Sequence, residues 1–216
     1  MKGKIKLIYR RLYSAFGPQG WWPAQSAFEV IVGAILTQNT SWSNVEKAII
    51  SLKKKKLLDP VRLYRFPRKK LAALIKSAGY YNIKALRIRN FLAFFFRSYQ
   101  GKIERMRKQE AGLLRKGLLA VNGIGPETAD SILLYALDKP VFVIDAYTRR
   151  ILLRHGLSGE DDDYARLQDV FMRGLKKDKG IFNEYHALLV KTGKEYCRKN
   201  NPKCKVCPLW PIKNVS

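Results

Sequence analysis

A bend between two apolar helical segments is the feature that most constrains this chain. Residues 118–121 are largely apolar and lead into Gly123, Ile124 and Gly125, and a further helix is predicted from Pro126. Glycine permits the unusual dihedrals and close approach that a tight bend requires, and proline suits the first position of a helix. These residues predict a helix–loop–helix whose exposed backbone N–H groups can hold a phosphate oxygen without reading sequence.

A short apolar segment follows this bend and is itself followed by a single carboxylate, Asp145. Residues 141–144 are the strongest strand candidate in the chain, but they are too few to pair alone. Asp145 follows directly and is a good N-cap for a helix that begins at Ala146. A carboxylate fixed in this way can also offset positive charge that develops during a reaction.

The charge balance indicates a polyanionic partner. The chain carries 42 Lys and Arg against 17 Asp and Glu, a formal net charge of +25. Self-repulsion makes such an excess costly, and a phosphate backbone is the commonest reason to keep it. A solvated lysine-rich surface in a generally basic proteome is the alternative explanation.

Helical periodicity accounts for most of the 216 residues, and no alternating strand pattern exceeds four residues. The sequence therefore predicts an all-α protein, long enough for one domain or two small ones. The predicted helices cover residues 4–16, 26–36, 41–55, 60–66, 67–75, 83–98, 109–119, 146–155, 163–174 and 180–198, besides the one that begins at Pro126.

The cellular setting is predicted from what the ends of the chain contain. No apolar run approaches the ~20 residues needed to cross a bilayer, and the basic residues 1–11 lack the apolar core of a signal peptide. Three cysteines lie close together near the C-terminus, which indicates a metal site rather than a disulfide framework. We expect a cytoplasmic, nucleoid-associated protein that binds no membrane.

Five segments together resemble the endonuclease III superfamily of helix-hairpin-helix DNA glycosylases, and the resemblance covers almost the whole chain. LLAVNGIGPETAD resembles the family's hairpin, and VIDAY resembles its aspartate segment. FEVIVGAILTQNT resembles the first core helix and the Gln loop, and GYYNIKA resembles the G-x-Y-N-x-K-A turn. CRKNNPKCKVC resembles the start of the iron–sulfur loop.

The resemblance implies a fold and a partner. Residues 26–137 would form a six-helix barrel domain with the helix-hairpin-helix at about 112–137, and residues 1–25 plus 138–216 a second helical domain, with a DNA-binding cleft between them. The partner would be double-stranded DNA with a damaged base, bound by a monomer, with a monovalent cation at the hairpin. The implied DNA-binding residues are Gln38, which fills the gap left by a flipped base, Asn39, Asn82, Lys84, Gly123, Ile124, Gly125 and Thr128.

The same resemblance gives Asp145 a catalytic role: it stabilises the sugar cation and helps water attack as the base leaves. Bifunctional relatives carry a lysine two residues after the second hairpin glycine, where this chain has Glu127. A glutamate cannot form a Schiff base with the sugar. We therefore expect a monofunctional DNA glycosylase without lyase activity, although Glu127 also suits the first turn of a helix as a plain acid.

Three tryptophans bear on which base is removed. Their positions resemble those of the monofunctional 3-methyladenine branch, where aromatic residues line the base pocket. N3-methyladenine carries positive charge, so electron-rich ring faces attract it. The predicted pocket residues are Trp21, Trp22, Pro23, Trp42, Glu127 and Lys194. Lys194 matches a lysine that can be carbamylated in that branch, and a DNA-facing or solvated lysine is an equal alternative.

Two rival functions stay open at this point. The same fold can act on oxidised pyrimidines or on mismatched thymine or uracil, and plain packing would also explain the tryptophans. A protein that binds DNA damage without cutting is the second rival, although Asp145 speaks against it.

Cys197, Cys204 and Cys207 keep the C-x6-C-x2-C spacing of a [4Fe–4S] loop. A cluster of this kind normally has four thiolate ligands, and the fourth position, after five intervening residues, is Lys213. We expect an iron–sulfur cluster held by the three cysteines. A cluster with an outside ligand, a three-iron form, a vestigial loop and a three-cysteine zinc site are the alternatives, and no histidine lies within the loop to complete the last.

Overall fold

A computed structural model describes residues 2–210 and residue 212, and this range contains no β-strand, which confirms the all-α prediction. None of its helices is both long and apolar enough to span a bilayer. The α-helices are α1 Lys2–Phe16, α2 Ala27–Leu36, α3 Trp42–Lys54, α4 Pro60–Arg65, α5 Arg68–Leu74, α6 Tyr81–Tyr99, α7 Ile103–Lys108, α8 Ala111–Leu119, α9 Pro126–Ser131, α10 Ala146–Arg154, α11 Tyr164–Gly174 and α12 Lys179–Glu195.

The chain divides into two compact units. Residues 1–23 and 140–216 form one, which we call the terminal unit, and residues 24–139 form the other, the central unit. The predicted domains, residues 26–137 and residues 1–25 plus 138–216, remain a prediction.

The central unit is built around α2, which is apolar on every side and buried from Phe28 to Leu36. Such a helix can only be accommodated inside a core. The charged residue within it, Glu29, is paired with Lys53 of α3, the Nζ–Oε1 distance being 2.7 Å. Ser26 caps the helix by accepting a hydrogen bond from the Glu29 N–H, which fixes where α2 begins.

The terminal unit packs α1, α11 and α12 around the strand candidate at residues 141–144. That segment is extended but forms no ladder, because side chains take the place of a partner strand. Gln168 Nε2 donates to the Phe142 carbonyl at 2.6 Å, and the Ile144 N–H donates to the Tyr164 hydroxyl at 3.2 Å. The Phe142 ring stacks on Phe171 with centroids 3.8 Å apart. The segment is thus held in the core of the unit and leads directly into α10.

Three elements of the central unit were not predicted: a 3-10 helix over Lys76–Ala78, helix α7 and a π-helical turn. Helix α7 has only two apolar residues, of which Met106 is buried, so its periodicity is too weak to read from sequence. Helix α9 continues into a π-helical turn over Ile132–Ala136. A single π turn has no distinctive sequence pattern, although such turns occur frequently at functional sites.

Lys84 of α6 is buried, with 1% of its surface exposed, so its assignment as a DNA contact is wrong. Its Nζ donates to the carbonyls of Leu36 and Ala78, at 2.8 and 2.6 Å. These carbonyls lie at the C-terminal ends of α2 and of a 3-10 helix over Lys76–Ala78, where unpaired acceptors favour a cation. Burial, and then the charge of Arg87, lowers the pKa of Lys84 from 10.5 to about 8.

We expect Lys84→Met to lower the free energy of unfolding by roughly 1–3 kcal/mol, because two buried carbonyls lose their donor. Lys69→Met, an exposed lysine of α5, is the matched control and should leave stability within about 0.5 kcal/mol of the parent. Urea denaturation measures both. A Lys84→Met protein of unchanged stability but weakened DNA affinity would restore the DNA-binding assignment.

Candidate functional site

The predicted helix–loop–helix is confirmed as α8, a short bend and α9, with Pro126 in the first turn of α9. Gly123 has a φ of +92°, and a Cβ there would lie 2.3 Å from Cγ of Arg87. Glycine is therefore required at this position both for its conformation and for the close approach of a side chain. Gly125 is exposed and caps α9 with extended backbone.

Not every residue of the bend can reach a ligand. The Ile124 side chain is buried and its N–H donates to the Val121 carbonyl at 3.0 Å, so the predicted DNA contact by Ile124 is wrong. Within the described residues, no hydrogen bond uses the N–H of Gly123 or of Gly125. These two donors are the part of the bend that can bind a phosphate oxygen.

Gln38 is tied to the bend through three hydrogen bonds. Its Nε2 donates to the Gly123 carbonyl and to the Thr128 hydroxyl, each at 2.9 Å, and its Oε1 accepts from Arg87. Thr128 is buried and its hydroxyl is used here, so this hydroxyl is not available to DNA, and the DNA contact of Thr128 stays a prediction. For Gln38 to fill a gap in a duplex, all three bonds would have to break.

Two further predicted DNA-binding residues are accessible. Asn39 is exposed in the loop between α2 and α3, with a φ of +53°, and Asn82 is exposed in the first turn of α6. Both remain predicted contacts. Sequence analysis missed Arg87, since nothing near it in the chain indicates that it meets Gln38 and Gly123.

Asp145 lies in the terminal unit at the start of α10. Its Oδ1 accepts a hydrogen bond from the Thr148 N–H at 2.7 Å, which confirms the predicted N-cap. Its side chain is 13% exposed. The cap fixes one carboxylate oxygen in place, while the buried segment before Asp145 fixes its backbone.

His186 of α12 is the residue beside Asp145 that sequence analysis missed. Its Nε2 lies 3.8 Å from Asp145 Oδ2, and the ring is buried. Burial lowers the pKa of His186 below 6.5, and the Asp145 charge opposes this without reversing it. At neutral pH the imidazole is therefore neutral and adds no positive charge beside Asp145. Its only sequence signal is a histidine on an apolar helix, which more often means simple core packing.

The predicted pocket residues fall in both units. Trp21 and Trp22 are half-buried in the terminal unit with ring centroids 5.0 Å apart, and Pro23 beside them is exposed. Trp42 is half-buried at the first position of α3. Glu127 is exposed in the first turn of α9, and Lys194 is exposed in the last turn of α12. Their role in binding a base stays a prediction.

The three cysteines line one cavity of about 210 Å³ in the terminal unit, and none of them forms a disulfide. Burial raises the pKa of Cys207; a hydrogen bond from the backbone of Leu209 opposes this, and Cys197 and Cys204 raise it further. The thiols are thus close enough to interact electrostatically. Lys213, the expected fourth position, lies outside the described residues.

Two arginines of α10 hold the start of this loop. Arg150 Nε donates to the Cys197 carbonyl at 2.6 Å, and a guanidinium nitrogen of Arg154 lies 3.4 Å from Cys197 Sγ. Over the described part of the chain, no three His, Cys, Asp or Glu side chains are placed to hold a single metal ion. Soft thiol donors around a larger cavity suit an iron–sulfur cluster, in which each iron takes its own ligand.

Sequence comparison places this chain among DNA repair proteins. A family model for the HhH-GPD superfamily base excision DNA repair protein matches residues 32–177. A relative from Methanocaldococcus jannaschii, provisionally named a DNA repair glycosylase, is 48% identical over 207 residues, which cover 95% of this chain and 93% of the relative. Endonuclease III of Bacillus subtilis is 25% identical over 185 residues, covering 86% of this chain and 80% of that protein.

Solved structures agree in fold. A 3-methyladenine DNA glycosylase of H. pylori bound to 1,N6-ethenoadenine matches with a TM-score of 0.77 and 26% identity, over 89% of this chain and 97% of that one. A trapped endonuclease III–DNA covalent intermediate matches with a TM-score of 0.83 and 22% identity, over 98% of this chain and 95% of that one.

The depressed pKa of His186 predicts how stability varies with pH. Below pH 6.5 His186 is protonated in the unfolded chain, but in the folded protein it stays neutral until the pH reaches its lower folded-state pKa. The free energy of unfolding should therefore fall as the pH falls from 6.5 towards that lower pKa. Burial also lowers the pKa of His155, which adds to the same fall. His186→Asn should therefore make the fall smaller without abolishing it.

Urea denaturation at closely spaced pH values below 6.5 measures this fall, before carboxylate protonation dominates at about pH 4. An equal fall in the parent protein and in His186→Asn would show that His186 does not titrate as its surroundings indicate.

Proposed function

Because the chain belongs to the HhH-GPD superfamily of base excision DNA repair proteins, we propose that it removes alkylated purines, N3-methyladenine above all, by hydrolysing the N-glycosidic bond. DNA glycosylase activity in base excision repair follows from family membership. The substrate is supported by one observation above others, the adjacent tryptophan rings at positions 21 and 22.

Asp145 supplies the carboxylate for this chemistry. As the base leaves, positive charge develops on the sugar, and a fixed carboxylate lowers the energy of that transition state. The Thr148 N–H restrains one oxygen of Asp145, so little reorganisation is needed when the charge appears. The buried His186 ring lies beside the other oxygen, with Nε2 3.8 Å from Asp145 Oδ2, and burial lowers its pKa so that the imidazole adds no positive charge there at neutral pH. We therefore assign His186 as a positioning residue that restricts the carboxylate by packing against it.

The tryptophans favour a cationic base. Flat, electron-rich indole faces attract a positively charged ring by stacking and cation–π interaction. An N3-methylated adenine fits this preference, and its glycosidic bond is already labile, so a single carboxylate can suffice for hydrolysis. The H. pylori structure, 26% identical to this chain, is that of a 3-methyladenine DNA glycosylase, which supports the same substrate class.

Double-stranded DNA is the proposed partner, and the net charge of +25 supports it. We assign the Gly123 and Gly125 N–H groups to a phosphate and the exposed Asn39 to the disturbed duplex. Gln38 is assigned instead to holding the bend, since its three hydrogen bonds lie within the central unit. A monomer and a monovalent cation at the hairpin are part of the same proposal.

We also propose that the cysteine cavity holds a [4Fe–4S] cluster with Cys197, Cys204 and Cys207 as thiolate ligands. The observation that supports it is the shared lining of one cavity by three free thiols. A cluster placed there would bind the C-terminal loop to α10 and contribute to folding. No step of base removal is assigned to it.

Purified protein incubated with duplexes that carry single lesions should release 3-methyladenine and leave abasic sites. Asp145→Asn should slow release by about 10²–10³-fold, because the amide carries no charge. Asparagine caps helices as well as aspartate does, so folding should be unaffected, and circular dichroism checks this. Release of thymine glycol or uracil instead would move the substrate to the oxidised-pyrimidine or mismatch class, and binding without release would make the protein a damage-binding factor.

Borohydride added during the reaction should trap no covalent protein–DNA adduct, because Glu127 occupies the position where a lysine could form a Schiff base. Glu127→Gln should likewise trap no adduct, because an amide cannot form a Schiff base either. Denaturing gel electrophoresis of labelled DNA measures the adduct. An adduct in the parent protein would contradict a monofunctional mechanism, and its loss in Lys194→Met would identify Lys194 as the nucleophile.

A further inference from the structure

A histidine lines the cysteine cavity, although sequence reasoning found none within the loop. His155 follows α10 directly, far from the cysteines in sequence, and its ring contributes to the wall of the same cavity as Cys197, Cys204 and Cys207. The three thiols lack the fourth donor that an iron–sulfur cluster requires. The cavity therefore contains a candidate that the sequence spacing could not indicate.

The hydrogen bonding of His155 is that of a metal ligand. Its Nδ1 lies 3.0 Å from the Ile212 carbonyl, and since a carbonyl can only accept, Nδ1 is the donor. This leaves the Nε2 lone pair for a ligand role. Histidines that bind metals almost always donate their other ring N–H in this way, which fixes the tautomer and the ring orientation.

The position of this bond also matters. Ile212 directly precedes residue 213, where the cysteine spacing calls for a fourth ligand. The His155 ring is thus anchored to the backbone one residue before that position in the sequence. Arg154, the neighbour of His155, lies 3.4 Å from Cys197 Sγ, so the end of α10 is in contact with one of the cysteines that line the cavity.

We infer that His155 is the fourth protein ligand of the iron–sulfur cluster, bound through Nε2 and opposite three cysteine thiolates. This rests on the cluster proposed above. A neutral imidazole in place of a thiolate makes the cluster less negative, and histidine ligation raises the reduction potential of such centres. A zinc ion is disfavoured at this site, because no three of the described side chains are placed around a single ion.

The chain has only two histidines, so a signal from labelled histidine can be assigned to one of two residues. Protein purified without oxygen from cells supplied with ¹⁵N-histidine is reduced with dithionite and studied by pulsed electron paramagnetic resonance. We expect a nitrogen hyperfine coupling that changes with the isotope. His155→Ala should lose this coupling and about one iron in four, giving a three-iron signal when oxidised. His155→Cys should retain four irons and have a lower reduction potential.

The control is Lys213→Ala, which should keep the coupling and the iron content of the parent protein. A four-iron cluster without histidine coupling, or one unchanged in His155→Ala, would overturn the ligand assignment alone. Parent protein without iron and sulfide, or with zinc in their place, would overturn the cluster and the ligand together. Base release is measured separately, so neither result is confused with failure of the glycosylase assignment. Because the coupling is measured in the parent protein, the test does not depend on a variant that folds.

Discussion

The extended segment before Asp145 is the constraint on which the position of this carboxylate depends. With no partner strand, two of its backbone groups are bonded by the side chains of Gln168 and Tyr164, and the Phe142 ring is stacked in the core. Leaving any of these groups unpaired in the interior would cost about 1–3 kcal/mol. Asp145 therefore leaves the core in one direction, and α10 begins where its carboxylate can accept from the Thr148 N–H. The contacts that pack this segment into the core therefore also fix the position of the Asp145 carboxylate.

The central unit uses polar side chains in a comparable way. Lys84 and Gln38 both look, from sequence, like groups that meet DNA, yet both bond to backbone within the unit. Buried polar groups need partners, and the ends of α2 and the hairpin bend provide acceptors that need donors. Lys84 is therefore one of the 42 basic side chains that is not available to a phosphate backbone.

Local signals predicted the helical class, the Asp145 cap and the bend before Pro126, because each depends on residues within one or two turns. The partners that complete the sites could not be predicted. His186 reaches Asp145, Arg87 reaches Gln38 and His155 reaches the cysteine cavity only through the tertiary fold. A single histidine or arginine has no periodicity to detect. The predicted DNA contact of Lys84 is wrong for a related reason, because the sequence shows the motif that contains Lys84 but not that its side chain is buried.

The two histidines illustrate how one residue type serves two kinds of site. His186 is enclosed beside the Asp145 carboxylate, where burial lowers its pKa and keeps the imidazole neutral. His155 lines a cavity of thiols, and a carbonyl fixes its Nδ1, so that Nε2 is the atom we propose as a metal ligand. The surroundings of each ring thus decide what it can do: burial sets the protonation state of His186, and the hydrogen bond at Nδ1 sets the tautomer of His155. A fixed carboxylate can offset a sugar cation. Because Glu127 cannot form a Schiff base with that sugar, water is the nucleophile in the mechanism proposed above.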